Sequence, residues 1–131
     1  MKDKEGIPQQ QRPPVAIGHV DLRVTNVAEA TDFFLKLGMR HIHQEVDFAV
    51  LELRGGTHLV LESDGKPVAP KQPAPFDLMV DDLEATRNLC LKLGMGPSAV
   101  RTGKVHESFT IIGPDAYEIT MTSSHASGRA V

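Results

Sequence analysis

The chain has 131 residues, the length of one ordinary domain, with 40% hydrophobic and 24% charged residues and a formal net charge of -3. This balance gives no broad electrostatic attraction to nucleic acid or to an anionic membrane, and no apolar run approaches the roughly 18 residues that span a bilayer. A single cysteine, Cys90, rules out an internal disulfide.

Residues 1–14, "MKDKEGIPQQQRPP", are polar and rich in Pro and Gln. They read as a flexible lead-in without the apolar core of a signal peptide, so a cytoplasmic protein is expected. "VAIGHVDLRV" (15–24) is β-branched with polar alternation, the pattern of a strand. "TNVAEATDFFLKLGM" (25–39) switches to helical spacing, with Val27, Ala30, Phe34 and Leu37 on one face. Asn26 caps this helix, and Gly38 ends it because glycine enters the left-handed cap conformation without strain. Strands are expected near 40–46, at 48–54 and at 57–63, with "GG" (55–56) joining the last two as a hairpin. The proline-rich stretch 64–75 reads as a linker. Then the plan restarts. "FDLMV" (76–80) is a strand and "DDLEATRNLCLKLGM" (81–95) a helix that buries Cys90. Strands follow near 97–102, 106–112 and 116–122, and a loose tail ends the chain at 125–131.

Residues 20–39 match residues 76–95 without gaps at an offset of 56, with eight identities in twenty positions. Two amphipathic helices ending in glycine would share Leu and Gly positions in any case. They would not also share Asp-Leu-x-Val just upstream (Asp21/Asp77, Leu22/Leu78, Val24/Val80), so the chain is read as an internal duplication. The expected fold is α+β. Two tandem βαβββ modules (15–63 and 76–124) form a curved mixed sheet with helices outside and a concave cup inside, all within a single domain over 15–124.

Two polar residues stand out on that inner surface: His19 in the first strand of module one, and Glu118 in the last strand of module two. The offset of 56 carries Glu118 back to Glu62 and His19 forward to Pro75. A His nitrogen with two carboxylates makes a mixed N/O site suited to Mn, Fe, Ni or Zn, and three protein ligands leave room for water or substrate. His58, Val60 and Glu62 share one strand face, so a small slip in register would bring Val60 to the ligand position instead. Asp21 and Asp77 lie two residues beyond His19 and Pro75 on the same face, and with His58 they complete the expected pocket.

At these residues the chain resembles the vicinal oxygen chelate superfamily, which includes glyoxalase I, bleomycin-resistance proteins, fosfomycin-resistance enzymes and extradiol dioxygenases. The pieces that carry the resemblance are "IGHVDLRVTNVAEATDFFLKLGM", "FDLMVDDLEATRNLCLKLGM" and "GPDAYEITM", which cover most of residues 16–122. The resemblance implies paired βαβββ modules, a homodimer and a small-molecule ligand. It also implies, in metal-dependent members, a divalent ion held by first-strand His and last-strand Glu residues. His19, Glu62 and Glu118 would be the metal ligands here, with Glu118 also moving a proton in lyase or isomerase chemistry. Pro75 stands where a second His is expected. The alternative is a metal-free protein of the bleomycin-resistance type that sequesters its ligand, for which the acidic residues of the cup would suit a cation. A structural role, with the cup filled by side chains, is a third reading. Acyl-transfer, phosphate-loop and dinucleotide motifs are absent.

Overall fold

A computed structural model describes Gly6, Pro8, residues 10–124, Ala130 and Val131; the expected lead-in and tail fall in part outside these residues. Module one runs β1 (His19–Arg23), α1 (Val27–Lys36), β2 (Arg40–Gln44), β3 (Phe48–Glu52) and β4 (His58–Glu62). Module two repeats the plan as β5 (Pro73–Val80), α2 (Leu83–Lys92), β6 (Arg101–Thr102), β7 (Glu107–Ile112) and β8 (Glu118–Ser123). Each module is one four-stranded sheet, ordered β1-β4-β3-β2 and β5-β8-β7-β6, with its first and last strands parallel. The curved surface is therefore made of two sheets whose edge strands β1 and β5 adjoin without a shared ladder.

The duplication is visible in backbone detail. Asn26 Oδ1 accepts from the Glu29 amide at 3.0 Å, and Asp82 Oδ1 accepts from the Ala85 amide at 2.9 Å. Both helices end in a glycine at positive φ, Gly38 at 108° and Gly94 at 70°. The residue after each glycine then donates back to an equivalent carbonyl, Met39 to Phe34 at 3.2 Å and Met95 to Cys90 at 2.9 Å. The repeated "LKLGM" is thus a repeated helix ending.

Three segments depart from the sequence expectation. β5 starts at Pro73, inside the stretch read as linker. Proline lacks an N–H and is tolerated here because the strand lies at a sheet edge and its pairing is bulged between Pro73 and Asp77. The strand expected at 97–102 shrinks to Arg101–Thr102, since glycine and proline at 96 and 97 break it. The Gly-Gly hairpin is a short 3₁₀ turn, Arg54–Gly56, in which both glycines have positive φ.

One hydrophobic core runs through both modules, but the helices contribute unequally. α1 buries Val27, Ala30, Thr31 and Phe34, whereas α2 buries only Cys90. Phe34 and Cys90 occupy the same repeat position, so the large ring of module one is replaced by a small thiol in module two. Burial raises the Cys90 thiol pKa, which suits a packing role rather than a nucleophilic one. Among the described residues, Thr31 Oγ1 is buried without a hydrogen-bond partner. Thr31→Val removes that orphaned hydroxyl at nearly constant volume, and should stabilise the chain by about 1 kcal/mol in chemical denaturation.

Candidate functional site

The helices cover one face of each sheet and leave the other open. On β1 the buried side carries Leu22, while His19, Asp21 and Arg23 are exposed. On β4 the buried side carries Leu59 and Leu61, and His58, Val60 and Glu62 face the opening. The parallel register sets His19 beside His58, Asp21 beside Val60, and Arg23 beside Glu62. Glu52 and Arg40 extend the first of these rows. His58 Nε2 lies 3.6 Å from Glu52 Oε2, whose other oxygen accepts from Arg40 Nη1 at 2.8 Å. His19 Nε2 lies 3.8 Å from Asp21 Oδ2. Module one therefore presents a largely ionic row.

Module two presents a different surface. On β8, Glu118 lies between Pro73 and Ile112, while Thr120 lies between Asp77 and Thr110. Its central row is hydroxylic where that of module one is Asp21–Val60–Val50–His43.

The ladders also show how the two last strands correspond. Asp21 pairs with Val60 and Asp77 with Thr120; Leu22 pairs with Leu61 and Leu78 with Met121. The offset of 56 between first strands thus becomes 60 between last strands, the four extra residues entering between the end of α2 and β7. In the sheets Glu118 corresponds to His58, and Glu62 corresponds to Thr122 at the far end of β8. Pro75 is displaced as well, since Pro73 is the residue opposite Glu118. The signal available in the sequence was the pair of turns "RGGTH" and "GPDAYE". Aligning these rather than the helices yields the offset of 60.

The expected metal ligands are therefore dispersed. His19 and Glu62 lie at opposite ends of the β1–β4 ladder, and Glu118 belongs to the other sheet. Among the described residues no three His, Cys, Asp or Glu side chains gather closely enough to hold a metal ion. Within the one chain described, His19, Glu62 and Glu118 do not come together as a ligand set.

Charge pairing on the open face is uneven. Arg23 turns away from Glu62 to Asp64, with Nη1 to Oδ1 at 2.8 Å, and reaches the Lys66 carbonyl. The Lys66 amide, donating to Asp64 at 3.0 Å, holds that carboxyl below its ordinary pKa against a desolvation penalty, with Arg23 adding to the lowering. Asp77, Glu62 and Glu118 have no ion pair among the described residues. A concavity of about 850 Å³ lies elsewhere, where Asn26 and Val27 at the start of α1 face Glu45 and Asp47 in the β2–β3 turn.

The modules are joined by polar ties at their turns. Tyr117 donates its hydroxyl to the Arg23 carbonyl at 2.7 Å, and Asp115 Oδ2 accepts from the Thr25 amide at 2.9 Å. On the other side Arg54 Nη1 meets Asp81 Oδ2 at 2.7 Å. Thr25 and Asp81 are repeat mates, so each module's turn docks at the start of the other module's helix. Asp115 and Ala116 carry positive φ, the conformation of Gly55 and Gly56 in the equivalent turn. The Asp115 hydrogen bond offsets part of that strain. None of these ties was legible from the helix-based alignment.

No described helix is long and apolar enough to cross a membrane. Comparison with solved structures finds the same architecture widely. A lactoylglutathione lyase from Agrobacterium tumefaciens superposes with a TM-score of 0.72 at 14% identity, over 89% of this chain and 99% of that one. A glyoxalase/bleomycin resistance protein/dioxygenase from Alicyclobacillus acidocaldarius gives 0.66 at 22% identity, over 88% and 96%. At such identities the likeness concerns the fold alone. No curated protein sequence matches the chain. The family model for the glyoxalase/bleomycin resistance protein/dioxygenase superfamily matches residues 16–129. With paired βαβββ modules and a match over nearly its whole length, the chain belongs to that superfamily.

Proposed function

We propose that the chain is a ligand-binding protein of the bleomycin-resistance type, which holds a small organic cation on the open face of its paired modules without a resident metal. The observation that carries this reading is the state of the carboxylates there. Among the described residues Asp77, Glu62 and Glu118 have no ion-pair partners, and the acids of the open face do not converge as a metal-ligand set. A cation approaching these carboxylates gains Coulomb energy without displacing an existing partner, and an extended set of acids suits a ligand several atoms long better than a single ion. Asp77, together with Asp21 on the adjoining edge strand, whose contact with His19 is long at 3.8 Å, would flank its charged group. The Thr110–Thr120 hydroxyls would take its neutral polar part.

A thermal-shift screen of organic amines in the presence of a chelator tests this. Hits should stabilise the chain equally with and without the chelator. The double substitution Asp21→Asn, Asp77→Asn should weaken the best hit by about tenfold or more, equivalent to about 1.4 kcal/mol. Stabilisation that appears only after adding Zn, Ni, Mn or Fe would overturn the reading.

A further inference from the structure

The two turns that tie the modules occupy equivalent places but fill them differently. The turn before β8 ends in Tyr117, which is 6% exposed and crosses to the β1 backbone at Arg23. At the offset of 60, its mate in the turn before β4 is Thr57. At the offset of 56, the mate of Arg23 is Met79. Thr57 is too short to cross to Met79, and its hydroxyl instead donates to the nearby Ile17 carbonyl at 2.6 Å. A cavity of about 380 Å³ lies at this place, with Thr57 and Met79 both in its wall. Val20, Leu53, Phe76 and Leu78 supply apolar lining, and Asp77 stands at the open-face side. Met79 is 45% exposed and Ile17 65%. Among the described residues β5 is an edge strand, and its outward backbone groups have no ladder partner on this side.

The duplicated fold thus supplies its own reference. On one side of the module seam a phenol ring fills the space and donates to a backbone carbonyl; on the other side the matching space is open and walled largely by apolar side chains, with Arg54 and Asp77 also in its wall. We infer that the groove between Thr57 and Met79 is a binding site for a small phenol or similar hydroxylated ring, seated as Tyr117 is seated in the twin position. Its volume suits a single-ring ligand. The apolar walls take the ring, and the hydroxyl donates to a β5 backbone carbonyl. This site reaches in from the seam toward the helix side and does not depend on the reading of the open face.

The probe is p-cresol, the tyrosine side chain as a free molecule. Titrated into the full chain, it should give saturable methyl shifts in the NMR spectrum at Leu53, Leu78 and Met79, with an affinity in about the millimolar range expected of so small a ligand. Thr57→Tyr installs the missing ring and should weaken p-cresol binding at least about tenfold, while raising Tm. Ile17→Trp, placed at the exposed rim, should weaken it similarly and decides the matter if Thr57→Tyr does not fold. No saturable shifts in the wild-type chain would overturn the inference, as would binding that survives both substitutions. A concentration-dependent dimer that Thr57→Tyr dissociates, with no p-cresol response, would also overturn it and assign the groove to a second copy of the chain.

Discussion

Tyr117→Ala should destabilise the chain by about 3–5 kcal/mol, the range for removing a buried aromatic ring. The ring is almost wholly buried, and its hydroxyl is one of the few polar ties between modules. Tyr117→Phe should cost only about 1 kcal/mol, because it keeps the ring and loses one hydrogen bond. The difference between the two separates packing from the tie, and equilibrium denaturation in urea measures both. The same residue predicts an alkaline limit to stability. Burial, with Asp115 nearby, raises the Tyr117 pKa above its ordinary value, opposed by Arg23. A raised native pKa means that the neutral phenol is favoured by folding. That contribution is fully present below the ordinary phenol pKa of about 10 and is lost as pH rises through the native value. Tyr117 is the chain's one tyrosine and there is no tryptophan, so tyrosinate absorbance reports this group alone. The native titration should lie above that of the urea-unfolded chain, and a coincident pair of curves would contradict the packing described for Tyr117.

The second large effect is expected at Phe34. It is 0% exposed at the centre of the α1 face and meets Phe33 edge to face, with ring centroids 5.1 Å apart. Phe34→Ala should cost about 3–5 kcal/mol and lower Tm by more than about 10 °C. Cys90→Ala, at the same repeat position in module two, should cost far less, because α2 brings so little else into the core. Equal costs would mean that the two helices are loaded alike, contrary to their burial. Calorimetry on the two variants settles the comparison.

The fold was legible because duplication wrote it twice. Asn26 and Asp82 as caps, Gly38 and Gly94 as endings, and the Asp-Leu-x-Val strands on either side of the offset each repeat a local physical requirement. The placement of the candidate residues was legible only in part. His19, Asp21, His58, Asp77 and Glu118 do lie on or at the rim of the open faces, because strand alternation is a local property. Correspondence between strands is not local. It depends on how many residues lie between the end of α2 and β7, and the resulting shift from 56 to 60 moved the equivalent of Glu118 from Glu62 to His58. The bulge in β5, imposed around prolines without N–H donors, moved Pro73 into the place read for Pro75. Ties such as Tyr117 to Arg23 join residues far apart in the chain and leave no periodic signal.

The proposed ligand of the open face binds without a resident metal. Calorimetric titration of Zn, Ni, Mn and Fe(II) into untagged, chelator-treated protein should therefore show no ion bound near one per chain. One ion per chain, lost in both His19→Ala and Glu118→Ala with folding intact, would overturn that reading in favour of a metal-dependent lyase or isomerase.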